Sequence, residues 1–154
     1  MKAQYINPFI ESINSVFELM LNTHLERQSP RLSTADRQPP ASAVASIIGI
    51  TGQANGCVAL CFPAEPAIEL ASRFLGVQVR RIDDEAVDAL AELANMVAGS
   101  AKSKFDLDPP PKLSLPTVVI GRSYEMKRPT SAPWIEIPFC FDAGAFTMNV
   151  SFDM

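Results

Sequence analysis

The sequence predicts an α+β fold: a largely antiparallel β-sheet covered by helices. Two observations carry that expectation. The apolar pattern runs in the order one helix, two strands, two helices, three strands, with no alternating βαβ units. The chain has 154 residues, one domain's worth at roughly 150 residues per domain. At that size one core can bury most apolar groups without a metal or disulfide staple. No second boundary is visible, so residues 1–154 read as a single domain.

The first helix is expected from Pro8 to His24. Asn7 is a good N-cap, Pro8 suits the first turn, and Phe9, Ile13, Val16, Phe17, Met20 and Leu21 recur at helical spacing. Residues 28–42 are polar, hold three prolines and lack periodicity, which predicts a loop or an exposed edge segment. Val44–Thr51 and Cys57–Phe62 are apolar β-rich runs around Gly52-Gln-Ala-Asn-Gly56, a predicted hairpin. The next helix begins at Pro63 and stops at Leu75, before Gly76. Asp83 to Phe105 reads as the longest helix, stopped by Asp108-Pro-Pro-Pro111. Three strand-like runs follow: Leu113–Gly121, Trp134–Phe141 and Ala145–Phe152. Prolines 116, 133 and 138 push these runs toward edges or bulges.

Composition closes off several function classes. Hydrophobic residues make up 47% and charged residues 19%, which excludes a disordered chain. Net charge is −4 and the 13 Lys and Arg are scattered. Without a basic stripe there is no electrostatic footprint for nucleic acid or an anionic membrane. The apolar runs are too short to span a bilayer. The N-terminal MKAQYINPFIESIN is broken by Asn, Pro, Glu and Ser and does not read as a secretory signal. A soluble, cytoplasmic protein is expected.

The cysteines agree with a reducing compartment. Cys57 and Cys61 are four residues apart on a strand, about 13 Å between Cα atoms, beyond disulfide reach. With Cys140 in another apolar stretch, three buried thiols are expected, in a core role. The single His24 would have to carry any His-based zinc site or Ser-His-Asp triad alone. It falls at the polar end of the first helix, where a cation is favoured. No GxGxxG, GxxxxGK[ST] or HExxH occurs. Asp83, Asp84 and Glu85 form an acid cluster, but at a helix start carboxylates simply oppose the positive dipole end. No metal site and no cofactor of the chain's own are expected.

The long helix is the informative element. At about 100° per residue, Ala86, Leu90, Leu93, Val97 and Ala101 form a core stripe. Opposite lie Glu85, Asp88, Glu92, Asn95, Gly99 and Lys102, at steps of three and four. Alone, such a face reads as ordinary solvated surface. Three details argue for more. Asn and Gly each cost up to about 1 kcal/mol relative to Ala in a helix interior, yet both sit mid-helix here. Gly99 leaves a notch where another molecule can approach the backbone. Glu92 and Asn95 project side by side, so one partner could meet both.

Glu-x-x-Asn by itself is weak. The chain also spells it at Glu11-Ser-Ile-Asn14, and nine Glu with six Asn make a chance match unsurprising. The setting of the second copy, Asp88-Ala-Leu-Ala-Glu92-Leu-Ala-Asn95-Met-Val-Ala-Gly99, is specific. It resembles the phosphatase helix of the CheC/CheX/FliY chemotaxis phosphatases, whose signature is Glu-x-x-Asn with Gly four residues on. Tyr5-Ile-Asn-Pro-Phe-Ile-Glu11, Ile47-Ile-Gly-Ile-Thr-Gly52, Ser114-Leu-Pro-Thr-Val-Val-Ile-Gly121 and Gly144-Ala-Phe-Thr147 resemble the single-motif CheX branch. The resemblance covers nearly the whole chain apart from residues 28–42. Glu11 and Asn14 lack the following glycine, residue 18 being Glu, and inherit no role.

The resemblance implies a CheC/CheX-like sheet with the motif on one long exposed helix. It also implies dephosphorylation of a phosphorylated CheY-type response regulator at its aspartyl phosphate. Asn95 would orient the attacking water and Glu92 would pair with the regulator's active-site lysine. Glu85, Asp88, Gly99 and Lys102 would contact the partner. The Mg²⁺ that neutralises the phosphoryl group belongs to the regulator in this family. A homodimer with a continuous sheet is implied as well, matching the free edge that an antiparallel sheet offers. The alternative from another class is a non-catalytic module that binds a response regulator or flagellar component. A plain structural domain with a solvated helix face is the third reading.

Overall fold

Alternating side chains build one sheet, and every strand pairing among the described residues is antiparallel. The computed structural model describes residues 3–33, 43–121 and 133–153. Their elements run α1 (Ala3–Leu21), β1 (Glu26–Arg27), β2 (Arg31–Ser33), β3 (Val44–Thr51), β4 (Asn55–Phe62), α2 (Ala64–Leu75), α3 (Asp84–Lys102), β5 (Lys112–Leu113), β6 (Thr117–Ile120), β7 (Trp134–Phe141) and β8 (Gly144–Asp153). The strand order is β1-β7-β8-β4-β3-β5, with β2 also on β7 and β6 also on β3. The α+β expectation holds, and no described helix is long and apolar enough to cross a membrane.

The period of two puts alternate residues of each strand on one face. Ile48, Val58, Leu60, Ile137, Met148 and Val150 face the helices and share one core with Phe9, Ile13 and Phe17 of α1 and Leu90, Leu93 and Val97 of α3. Ala45, Cys57, Ala59, Cys61 and Trp134 form a smaller cluster on the other face. Aromatic rings tie the helices to the sheet. Phe9 lies 5.7 Å from Phe105 and 5.8 Å from Phe152 between centroids, and Phe146 stacks on Phe17 at 5.3 Å and on Phe139 at 5.6 Å. Such pairs add about 0.5–1.5 kcal/mol each beyond their area burial. α2 closes on α3 through small residues, Ala71 against Ala86 and Ala89.

Several boundaries differ from the sequence expectation. α1 starts at Ala3, so Pro8 lies inside it and Asn7 is not its N-cap. Tyr5 and Ile6 explain the extension: Ile6 is buried, and Tyr5 packs 5.9 Å from Phe105 and 5.7 Å from Phe152. So near the N-terminus, the missing Pro8 N–H deprives only the Gln4 carbonyl of a partner. The helix ends at Leu21, not His24; Asn22 adopts φ 49° and Thr23 N–H donates to the Phe17 carbonyl at 3.1 Å. α1 is 19 residues long, the same as α3.

β1 was not expected as a strand, while β2 falls in the segment read as a loop or an exposed edge. They hold by backbone pairing to β7, and they have too few residues to show a pattern. Residues 34–42 of the expected loop lie outside the described residues. The predicted strand Leu113–Gly121 is two strands, broken at Ser114-Leu115-Pro116, where the Gly49 N–H donates to Ser114 Oγ at 2.8 Å instead. β4 begins at Asn55 and β8 covers Gly144–Asp153, each longer than expected. Pro138 lies within β7, where the Gln28 N–H donates to its carbonyl at 2.9 Å. That places its ring nitrogen on the side where the chain between β1 and β2 leaves the ladder. Proline cannot return that bond to Gln28, but it sits where the pairing to β7 is interrupted between β1 and β2.

Candidate functional site

α3 is built to hold one face still and offer the other. Asp83 caps it, its carboxylate accepting from the Ala86 N–H at 2.9 Å. Ala86, Leu90, Leu93, Val97 and Ala101 are buried as the stripe predicts, joined by Ala89, Ala94 and Ala98. Burying a leucine such as Leu93 stabilises the docked helix by about 1.5–3 kcal/mol. α1, α2, β3 and β6 all pack against α3, so its rotation on the sheet is fixed.

That rotation decides the outward face. Glu85, Asp88, Glu92, Asn95 and Gly99 are all exposed. At 100° per residue they fall within an arc of roughly 80°. Lys102 closes the row but is half-buried, not fully exposed as expected. Glu92 and Asn95, three residues apart, bring their Cβ atoms to about 5–6 Å. Among the described residues no ion pair engages Glu92. A Cβ added at Gly99 would meet nothing within 4 Å, so the notch is open to an incoming molecule. A carboxylate beside an amide and a bare stretch of backbone can hold a cation, orient a water and admit a close approach.

The other sequence candidates fall elsewhere. Glu11 is exposed but Asn14 is half-buried, and Ser12 between them is buried. His24 lies after α1, exposed, with Nδ1 3.4 Å from Glu18 Oε1. Cys57 and Cys61 are buried thiols, and Cys140 is half-buried. Burial pushes the Cys61 thiol up to about 12, which leaves no thiolate at neutral pH. The sequence pattern does not single out Arg73, whose guanidinium bonds Glu69, Thr23 and Asp142. Nothing local signals those partners, which are up to 69 residues away. Nor does it single out Ser103, next on the exposed row, whose hydroxyl donates to the Ser100 carbonyl at 2.8 Å.

An antiparallel sheet with helices packed on one face is the architecture of the CheC-like superfamily structures. The crystal structure of a CheC-like superfamily protein from Shewanella sp. PV-4 shares it, with a TM-score of 0.87 and 27% identity over 100% of both chains. Residues 44–140 match the family described as chemotaxis phosphatase CheX. CheY-P phosphatase CheX of Thermotoga maritima is 30% identical over 129 residues, 82% of each chain. This chain belongs to the CheX family of chemotaxis phosphatases, a hydrolase family. The fold is also that of the CheX in a Borrelia burgdorferi CheX–CheY–BeF₃–Mg²⁺ complex, with a TM-score of 0.80 and 22% identity over 97% of this chain and 98% of that one.

Proposed function

We propose that this chain hydrolyses the aspartyl phosphate of a CheY-type response regulator, with Asn95 orienting the attacking water and Glu92 docking on the regulator's active-site lysine. One observation carries the residue assignment: Glu92, Asn95 and the open Gly99 notch share the exposed face of a helix whose other face is locked in the core. Family membership supports the reaction class.

The chemistry suits these groups. An acyl phosphate is already activated, so the water oxygen forms a bond to phosphorus as the bond to the aspartyl oxygen breaks and the carboxylate departs. What remains for the enzyme is placement. The Asn95 carbonyl accepts a hydrogen bond from the water, and its NH₂ donates to the phosphoryl group or the partner. A carboxylate at position 95 would repel the phosphoryl oxygens. Glu92, one turn back, pairs with a cationic group and sets the register. The Mg²⁺ that neutralises phosphoryl charge is the regulator's. Two-fold pairing of copies along the β5–β6 edge, where Leu115 and Ile120 are 86% and 57% exposed, belongs to the same reading. It leaves both α3 helices facing outward.

The direct test mixes the chain with a panel of phosphorylated CheY-type regulators and follows phosphate release. Acceleration over each regulator's own decay is the expected result, and Glu92→Ala should slow it with a visible loss of affinity. Binding without acceleration by any regulator would make the chain a binding module instead.

A further inference from the structure

Among the described lysines and arginines, Arg73 and Lys102 are half-buried and the others are exposed. Arg73 is committed, bonding Glu69, Thr23 and Asp142. Lys102 makes no ion pair among the described residues. A half-buried lysine has its stem packed and its ammonium at the surface, so Lys102 is a held but uncommitted cation. The last turn of a helix suits a positive charge, but that effect needs no particular face. Lys104, two residues on and exposed, is close enough to serve it too.

The face is what distinguishes Lys102. It follows Asn95 by seven residues, which turns it only about 20° around the helix and sets it about 10 Å along the axis. Gly99 stands between them. Helical side chains lean toward the N-terminus, over the residues three and four back, which here are Gly99 and Ala98. A Cβ added at Gly99 would meet nothing within 4 Å, so the way from Lys102 to Asn95 is open. A four-carbon stem covers roughly half of the 10 Å between them. α2 takes the opposite flank of α3 through Ala71 against Ala86 and Ala89. The flank of Ala98 and Lys102 is therefore the one where α1 packs, and burial of the stem there aims the ammonium along the row.

Resting on the phosphatase reading, we propose that Lys102 is a catalytic residue, whose ammonium reaches across the Gly99 notch to the phosphoryl oxygens that Asn95 faces. As the water oxygen bonds to phosphorus and the aspartyl oxygen leaves, the peripheral phosphoryl oxygens carry the charge. A cation fixed beside them stabilises that state without moving a proton. An ammonium has three donors and no acceptor, so it gains from a phosphoryl anion and gains nothing from a free regulator. Lys102 thereby also lets the chain tell the phosphorylated regulator from the free one.

The test compares Lys102→Ala and Lys102→Arg with Lys104→Ala, which removes the same charge at an exposed position beyond the helix. Single-turnover phosphate release gives the rate. Titrations with the free regulator and with the regulator carrying beryllofluoride and Mg²⁺ give the preference for the phosphorylated form. Lys102→Ala should slow release about tenfold and lower that preference by a similar factor, with affinity for the free regulator unchanged. Lys102→Arg should recover most of both, and Lys104→Ala should track the wild type. Equal losses in the two alanine variants, a loss of affinity for both forms of the regulator alike, or no recovery with arginine would overturn the role. If the wild type binds the beryllofluoride form but releases no phosphate, the phosphatase reading falls, and with it the catalytic role of Lys102. Absence of wild-type binding to every regulator defeats both.

Discussion

α1 and α3 are each 19 residues long, pack side by side, and each spell Glu-x-x-Asn. Only one of them presents it. The centre of the α1 core stripe, set by Phe9, Ile13 and Phe17, lies roughly 100° from Asn14 around the helix, whereas Asn95 lies roughly 160° from the centre of its own stripe. The consequence is a half-buried Asn14 and an exposed Asn95. Four residues further on, α1 has Glu18, occupied with His24 at 3.4 Å, and α3 has the bare Gly99. The same letters make a site or a scaffold according to how large apolar side chains set the rotation of the helix. α1 reads as scaffold and α3 as site.

The largest expected effect breaks that comparison most directly. Asn95→Ala removes the water-orienting amide while leaving the core stripe untouched, so phosphate release should fall by about 10²-fold or more. Regulator binding should be roughly retained, and thermal unfolding should move slightly upward, because Ala is the better helix former. Asn14→Ala should leave phosphate release at the wild-type rate. If the two variants lose turnover equally, the assignment of α3 as the site fails.

Gly99 sharpens the contrast at a smaller scale. Its Cβ position is open, so Gly99→Ala should stabilise the exposed helix by up to about 1 kcal/mol. The same methyl fills the notch beside Asn95, and regulator affinity should drop several-fold. A variant that is more stable yet binds worse is the signature of a residue kept for a partner. If Gly99→Ala binds as well as the wild type, the notch has no role in docking.

The outward face of α3 was legible because it is a local pattern, although only the family resemblance made it a candidate site. Winding α3 at 100° per residue separates Leu90, Leu93 and Val97 from Glu92, Asn95 and Gly99, and no long-range contact is needed to see it. The β3–β4 hairpin was legible for the same reason, with apolar β-rich runs around Gly52–Gly56. What stayed hidden depends on distant partners. Pro8 reads as a helix start until Tyr5 is seen packed against Phe105 and Phe152, a hundred or more positions away. β1 and β2 have two and three residues and exist through backbone bonds to β7. Cys140 lies in an apolar stretch, but β7 leaves it half-exposed near the sheet edge. Local periodicity cannot encode any of these.

The smallest effect concerns what holds the scaffold side in place. Arg73 of α2 donates to both carboxylate oxygens of Asp142 at 2.9 Å and to Thr23 Oγ1, just beyond α1, at 2.8 Å, with its guanidinium 5.5 Å from the centre of the Phe141 ring. The hydrogen bonds from Arg73 hold the Asp142 carboxyl below its ordinary value of 3.8. A carboxyl whose folded value is lowered contributes stability above its unfolded value and loses it as pH falls through the folded one. Asp142→Asn should therefore lower the denaturation midpoint slightly at pH 7. The difference from wild type should close as pH drops below about 4, where the unfolded carboxyl takes up its proton. The effect stays small because the Asp142 side chain is 71% exposed and solvent screens the pair. Phosphate release near neutral pH should not change, since the clamp pins α2 and the end of α1 and touches nothing on the outward face of α3. A stability gap that persists unchanged to pH 2 would mean that Asp142 acts through its shape, not its charge.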